Sequence, residues 1–318
     1  MEFYGNFMEK RYSCSVDAAQ AGYTVKQVMT HRWKLGTGQI KKAKFRENGI
    51  LVNGQQVTVR YVLKEGDVLE VLLEEKEQGS SHFIPVDGKL QVIYEDEDIL
   101  VVEKPAGIVC HPSAGHYCDS MANLLVGYFA AKGEGYIVRL AGRLDKGTSG
   151  LLLYAKHAPA LTELERQRAD GRMQKTYYAI LNGCPHIQEA DIEMPLGTDE
   201  TVPMKQRVYE MGEAGGAYAK SHYKIVQKME DEQDRCFSLA EICIATGRTH
   251  QIRTHMSWLG FPLAGDVLYG GMNTGTEDLT RPALHAYKLA FQHPVTGEPM
   301  EFVSEIPQDM KEFLEHWW

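Results

Sequence analysis

The chain has 318 residues, of which 43 % are hydrophobic and 24 % are charged, with 34 Lys or Arg against 43 Asp or Glu. This length allows about two domains with a large buried core, and the composition excludes a wholly disordered or fibrous chain. The net charge of −9 argues against a protein that coats nucleic acid over its whole surface. No apolar run approaches the ~18 residues that cross a bilayer, so we expect no membrane span.

Two features of the sequence favour the cytoplasm as its compartment. The first residues, Met1 to Gly5, lack the basic and apolar regions of a signal peptide. The six cysteines include no CxxC pair, and they fit a reduced protein better than a disulfide-stabilised scaffold. We therefore expect a cytoplasmic protein.

The segment from Lys10 to Lys64 is strongly basic although the whole chain is acidic. It contains eleven Lys or Arg and only two acids, and no acid occurs between Arg32 and Arg46. Such a cluster attracts phosphate and releases counterions when it binds. From composition alone, a solvated basic helix without a partner is an equally good interpretation.

A hairpin and a further strand are predicted after the basic stretch. Two short apolar runs flank Asn53-Gly54, which is a strong hairpin signal, and another apolar run follows Gly66-Asp67. This order of helix, basic helix and strands resembles the S4 family of small RNA-binding domains over about residues 12–75. The resemblance implies a small α/β fold whose basic helix lies against the RNA backbone. The candidate phosphate contacts are Arg32, Lys34, Lys41, Lys42 and Lys44.

A polar segment with Gly, Ser and Pro at 76–89 predicts a linker between a domain at 1–75 and a larger domain at 90–318. In the larger domain, apolar runs bounded by turn residues predict strands at 90–94, 99–102, 151–154, 176–181, 219–227 and 237–244, and helices at 121–131 and 158–168. The strands outnumber the helices and do not alternate regularly with them. The prediction is therefore an α+β domain around a mixed, largely antiparallel sheet.

Three loops combine glycine with charged side chains, which is how a rigid scaffold commonly presents a functional site. They are E-K-P-A-G-I-V-C-H-P at 103–112, G-R-L-D-K-G-T-S-G-L-L-L at 142–153 and T-G-R-T-H-Q-I-R-T-H at 246–255. Together with K-T-Y at 175–177 and G-F-P-L-A-G-D at 260–266, they resemble the RluA family of RNA pseudouridine synthases. The resemblance spans residues 90–305 and is best to the members with an N-terminal S4 domain.

The resemblance implies an isomerase that breaks the N1–C1′ bond of a uridine, turns the base and rejoins it through C5. Asp145 would act as nucleophile or base at the ribose. Arg253 would pair with it, since a neighbouring cation favours an ionised carboxylate. Tyr177 would stack on the flipped uracil and assist removal of the C5 proton. Without the family, Asp145 reads as a turn residue and Tyr177 as part of an ordinary strand.

Four further residues are candidates for substrate binding. In the family, the arginine at the position of Arg143 helps fill the space that the flipped base leaves. It follows Gly142, where many members have His. Arg248 is a rival to Arg253 for the place beside the aspartate. His250 and Gln251 complete the set, although for these two, and for Asp266, a supporting role is favoured over direct contact.

Three other functions remain open at this stage. A glycoside hydrolase needs a second carboxylate, for which Asp266 is the candidate. Cys110, His111, His116 and Cys118 suit zinc chemically, but their spacing matches no common zinc motif. A non-catalytic S4-type RNA-binding protein is the third. We expect a pseudouridine synthase that acts as a monomer without metal or cofactor, on large-subunit ribosomal RNA or, alternatively, on transfer RNA.

Overall fold

The computed structural model describes residues 7–33, 35–76, 83–113, 115–135, 137–230, 235–271, 275–276 and 278–317. The strands are β1 (Phe7–Ser15), β2 (Ile50–Val52), β3 (Gln55–Gln56), β4 (Val68–Lys76), β5 (Gln91–Glu95), β6 (Ile99–Lys104), β7 (Ser149–Ala155), β8 (Gln174–Asn182), β9 (Glu189–Glu193), β10 (Leu196–Thr198), β11 (Gln206–Val208), β12 (Lys220–Glu230), β13 (Cys236–Ile244), β14 (Leu284–Gln292) and β15 (Pro299–Val303). The helices are α1 (Val25–His31), α2 (Thr37–Lys44), α3 (Met121–Ala131), α4 (Ala158–Ala169), α5 (Gln251–Trp258) and α6 (Gln308–His316).

The N-terminal part forms a four-stranded sheet in the order β1-β4-β2-β3, with α1 and α2 contributing to the same apolar core. The predicted hairpin is confirmed: β2 pairs with β3, and the two turn residues Asn53 and Gly54 have φ of 52° and 78°. Positive φ at both positions matches a type I′ turn. The strand predicted after Gly66-Asp67 is β4. The assignment of this part to an S4-type domain at 1–75 stays a prediction, as do the boundaries of the linker and the larger domain.

The remaining strands, apart from the small β10–β11 ribbon, form a nine-stranded sheet in the order β5-β6-β7-β14-β8-β13-β12-β9, with β15 also paired to β14. Its pairs are antiparallel except for β7 with β14. The predicted α+β fold with a mixed, largely antiparallel sheet is confirmed. The two helices predicted in this part coincide with α3 and α4.

Helices cover both faces of the large sheet. Side chains of α3 and α5, such as Phe129 and Met256, pack on one face. Side chains of α4 and α6, such as Leu164 and Phe313, pack on the other. Because both faces are covered, the central strand β7 is buried along its whole length, which explains its uninterrupted apolar sequence.

The cysteines depart in part from the sequence expectation. A disulfide joins Cys184, just after β8, to Cys236 at the start of β13. The sequence did not reveal this pair, because it is the two strands that bring together residues 52 positions apart in sequence. Across the described ranges, the helices are too short or too polar to cross a membrane.

A buried contact joins the N-terminal sheet to α4. His157 caps the start of α4, where its Nδ1 accepts a hydrogen bond from the backbone N–H of Ala160. The hydroxyl of Tyr12 in β1 lies 3.0 Å from the same nitrogen. Since Nδ1 is an acceptor, Nε2 carries the proton and donates to Asp98 at 2.7 Å. The two parts of the chain thus meet at a satisfied polar network.

Gly150 is essential to the parallel pair β7–β14. Its φ is +114°, and a Cβ at this position would lie 2.3 Å from the carbonyl oxygen of Ala286. We expect Gly150→Ala to lower the free energy of unfolding by about 3 kcal/mol or more, from overpacking and from left-handed backbone strain. Gly133 has a φ of +73° with open space around it, so Gly133→Ala should cost only about 1–2 kcal/mol. Denaturant unfolding of both variants measures the difference, and equal losses would contradict the proposed clash.

Candidate active site

The three residues predicted to carry the chemistry meet in one pocket. Asp145, Tyr177 and Arg253 line a cleft of about 660 Å³. They come from the loop before β7, from β8 and from α5. The sheet and the helix on its face therefore bring together residues as far apart in sequence as Asp145 and Arg253.

The loop that carries Asp145 is held through its backbone carbonyl groups. The Nζ of Lys104, which is fully buried, donates to the carbonyl oxygens of Pro105, Lys146 and Thr148 at 2.9, 3.1 and 2.6 Å. The backbone N–H of Gly107 donates to the same Lys146 carbonyl. Burial lowers the pKa of Lys104 to about 8. The lysine thus fixes the backbone that follows Asp145 and ties it to the loop at Pro105 through hydrogen bonds to carbonyl groups.

Arg253 lies between two carboxylates. Its Nε and Nη2 donate to buried Asp266 at 2.7 and 2.9 Å, which is a bidentate pair. Its third nitrogen, Nη1, lies 3.8 Å from Oδ2 of Asp145, within ion-pair range but too far for a hydrogen bond. The ring of Tyr269 covers the guanidinium at 4.8 Å. Burial opposes the charge of Arg253, but the neighbouring carboxylates raise its pKa overall.

Tyr177 faces the pocket from β8. It belongs to the same core as α3 and α5, whereas its neighbour Tyr178 packs on the opposite face of the sheet, as strand alternation requires. Burial, together with the nearby charge of Asp145, raises the pKa of Tyr177 well above its usual value. At neutral pH the side chain is therefore an uncharged phenol, which suits stacking and hydrogen-bond donation better than proton removal.

The four predicted substrate-binding residues all line the cleft. Their side chains differ in exposure and in the hydrogen bonds that they make. Arg143 is exposed, and Arg248 is exposed with its Nε bonded to the carbonyl of Tyr218. His250 begins α5 with a φ of 53°, and its ring contacts the hydroxyl of Tyr269. The amide of Gln251 is buried. It accepts from the backbone N–H of Arg248 and donates to the carbonyl of Lys220, so Gln251 shapes the loop before α5.

Sequence reasoning assigned no role to several residues that the structure places here. Lys104 and Lys175 lie within the recognised motifs, but a lysine in a strand carries no signal of what it will contact. Tyr269 follows the G-F-P-L-A-G-D motif and reads as an ordinary apolar residue. Arg168 lies at the end of α4 and lines the cleft only because the helix packs against β7 and β14.

Two of the alternative functions, the glycoside hydrolase and the zinc site, lose their basis in this geometry. Asp266 is buried and bonded to Arg253, so it is not the second free carboxylate that a glycoside hydrolase needs. In the proposed zinc group, the Cys110 thiol contacts the backbone of Leu144, whereas His116 contacts Asp119 and Lys146. The four candidate ligands do not converge on one point.

Comparisons with known proteins identify the family of the chain. The RNA pseudouridylate synthase family matches residues 98–258. The chain is 38 % identical over 262 residues to the uncharacterized RNA pseudouridine synthase YhcT of Bacillus subtilis, covering 82 % of this chain and 83 % of that protein. It is 32 % identical over 315 residues to ribosomal large subunit pseudouridine synthase D of Pasteurella multocida, covering 95 % and 94 %. The solved structure of human RNA pseudouridylate synthase domain containing 1 matches in fold, with a TM-score of 0.55 at 22 % identity over 73 % of this chain and 97 % of that one.

The chain therefore belongs to the RNA pseudouridylate synthase family. It is an RNA pseudouridine synthase, and the predicted family, fold class and reaction are confirmed. The roles of the individual side chains stay predictions.

The bidentate pair with Asp266 can be tested by Asp266→Asn. Removing one partner of a buried ion pair leaves the other charge uncompensated, so we expect a loss of about 3–5 kcal/mol of stability. The guanidinium is also no longer fixed opposite Asp145, so kcat should fall at least tenfold under conditions where the variant remains folded. Thermal unfolding and single-turnover assays measure the two effects.

Asp309→Asn is the matched control. Asp309 accepts an equally bidentate pair from Arg281, at 2.7 and 2.9 Å, but its side chain is 41 % exposed and outside the cleft. We expect a smaller stability loss and a kcat close to that of the wild type. If Asp266→Asn kept the wild-type kcat, fixing Arg253 would not matter for the reaction.

Proposed function

We propose that this enzyme converts specific uridines of large-subunit ribosomal RNA to pseudouridine, with Asp145 acting at the ribose. The observation that carries the catalytic assignment is the position of the Asp145 carboxylate, facing Arg253 in a cleft that Tyr177 also lines. The RNA target rests on the similarity over nearly the whole chain to a relative named ribosomal large subunit pseudouridine synthase D.

The reaction is an isomerisation, so the substrate and the product have the same composition. The N1–C1′ bond breaks, the uracil turns, the C5–C1′ bond forms, C5 loses a proton and N1 gains one. Asp145 supplies the carboxylate that attacks C1′ or removes a ribose proton. Arg253 stabilises its negative charge, and the carbonyl contacts of Lys104 hold its loop in place.

The base must leave its stack to reach this carboxylate. Extruding a nucleotide costs a few kcal/mol, and stacking on an aromatic ring returns about 1–3 kcal/mol. In the proposed complex, the neutral ring of Tyr177 receives the uracil. Exposed Arg143, two residues before Asp145, occupies the space that the base vacates.

We propose that the N-terminal part supplies affinity for the RNA backbone. Lys41, Lys42 and Lys44 are exposed in the last turn of α2, and Arg32 is exposed at the end of α1. Lys34, the fifth predicted contact, lies outside the described residues. Because ribosomal RNA is the proposed substrate, the cytoplasm remains the expected compartment. We propose that the enzyme works there as a monomer, without metal or cofactor, since the reaction is redox-neutral.

Mapping pseudouridine in a deletion strain tests both the target and the role of Asp145. We expect one or more sites in large-subunit ribosomal RNA to disappear and to return when the wild-type protein is restored. Asp145→Asn should restore none, because it removes the charged oxygen and keeps the shape of the side chain. Its affinity for the RNA should remain within a few-fold of the wild type.

Two outcomes would contradict this proposal in different ways. Loss of sites in transfer RNA with ribosomal RNA unchanged would replace the proposed target and keep the chemistry. An Asp145→Asn protein that binds RNA as poorly as it modifies it would mean that Asp145 is a structural residue.

The basic N-terminal surface predicts a steep dependence of RNA affinity on salt. Replacing Lys41, Lys42 and Lys44 by Gln removes up to three phosphate contacts. The slope of log K against log salt should then fall by about 2–3, since each contact contributes about 0.7–0.9. Replacing Lys228, Lys288 and Lys311 removes the same charge elsewhere and should leave the slope almost unchanged. Equal slopes for both triple variants would contradict the role of the basic surface.

A further inference from the structure

The cleft is strongly cationic, and part of its charge has no counterpart in the protein. Six Lys or Arg line it against a single carboxylate, Asp145. Arg253 and Lys220 are paired with acids, and Arg248 is bonded to a carbonyl group. The three cations that remain are without an acidic partner in the described part of the chain; they are Arg143, Arg168 and Lys175.

Lys175 is the most unusual of the three because its amine is buried. Its Nζ is inaccessible to solvent and has no hydrogen-bond partner, although an ammonium offers three donors. Leaving such a group unpaired in a protein interior is costly, because the donors lose their bonds to water and gain none in return. Lys104, the other buried lysine of this region, satisfies its amine with three carbonyl groups. The difference indicates that Lys175 is prepared for a partner that the protein itself does not supply.

Arg168 and Lys175 converge on the same place, beside Gly142. A Cβ built on Gly142 would lie 3.6 Å from Nζ of Lys175 and 3.8 Å from Nη1 of Arg168. Gly142 has a φ of +98° and lines the cleft together with both of these side chains. Two cations that meet at one place in the cleft wall, each without an acidic partner among the described residues, form a site for an anion.

We propose that Lys175 and Arg168 bind a backbone phosphate of the RNA, next to the uridine held by Tyr177. Lys175 and Tyr177 are two residues apart on β8, so their side chains point to the same face at a spacing of about 6.5 Å. This spacing is close to that between a nucleobase and a phosphate of its own nucleotide. The subsite rests on the proposed role of Tyr177, and it does not depend on which RNA class is the substrate.

A different role for Lys175 leads to a different prediction. Burial lowers the pKa of Lys175 to about 8, so a neutral amine that accepts a proton is the competing assignment. Such a base would act on the chemical step and would leave binding almost unchanged. A phosphate contact acts on binding, because the charge that it neutralises is present before and after the reaction. The nearby guanidinium of Arg168 favours the anion site.

The test uses an RNA fragment that the wild-type enzyme modifies, whichever RNA it comes from. Copies of the fragment carry one uncharged methylphosphonate linkage at each position around the target uridine. Binding is measured by fluorescence anisotropy in the Asp145→Asn background, so that turnover does not interfere. We expect Lys175→Gln and Arg168→Gln to weaken binding by about 10-fold each. In the Asp145→Asn parent, the neutral linkage at one specific position should weaken binding by a similar factor.

The decisive result is the combination of the two changes. At that one linkage, combining the neutral RNA with the Lys175→Gln variant should weaken binding no more than either change does alone. At the other linkages, the two effects on affinity should multiply. Arg166→Gln, on the same turn of α4 but paired with Glu163, should bind like the parent at every linkage. Lys175→Arg should recover part of the affinity, which excludes misfolding of β8 as the cause.

Kinetics and pH provide a second, independent measurement. In the otherwise wild-type enzyme, Lys175→Gln should raise KM about 10-fold with kcat changed less than 3-fold. Binding should weaken as pH rises above about 8, where Lys175 loses its proton, and this decline should be smaller in Lys175→Gln. A fall in kcat at unchanged KM, or multiplying effects at every linkage, would overturn the phosphate subsite.

Discussion

The site depends on a guanidinium fixed between two carboxylates. Asp266 takes two of the nitrogens of Arg253 in a buried bidentate pair, which leaves the third nitrogen directed at Asp145. The ring of Tyr269 closes the other side of the guanidinium. Because Asp266 is buried and Asp145 is half-exposed, the first carboxylate orients the arginine and the second remains available to a substrate. The rest of the fold keeps α5, the loop before β7 and β8 in the register that this arrangement requires.

Much of the fold could be predicted because local signals and long-range packing agree. The Asn53-Gly54 turn and the apolar run of β7 each favour the structure that the chain adopts. The sheet order could not be predicted, since the pairing of β14 with both β7 and β8 depends on contacts over more than 100 residues. The disulfide between Cys184 and Cys236, which are 52 residues apart, was missed because it depends on the pairing of β8 with β13.

The site residues that belong to a recognised motif could be predicted. Those that reach the site only through packing could not. Asp145, Tyr177 and Arg253 were found through the family resemblance, and the structure brings them into one cleft. Their supports were missed, because nothing in the sequence shows that the amine of Lys104 meets three carbonyl groups. Gln251 was grouped with the substrate contacts, but its amide oxygen bonds the backbone before α5 and its amide nitrogen bonds the start of β12.

The contact between Tyr12 and His157 bears on how an RNA that reaches both parts of the chain would be held. His157 begins α4 beneath the N-terminal sheet, and Arg168 lies in the last turn of the same helix, at the cleft. A helix of 12 residues is about 18 Å long and nearly incompressible. If the N-terminal part and the cleft bind one RNA as proposed, α4 would set the distance between the two contacts. An RNA that presents the two features at another separation would then have to bend to reach both, and the shape of the RNA would contribute to the choice of target.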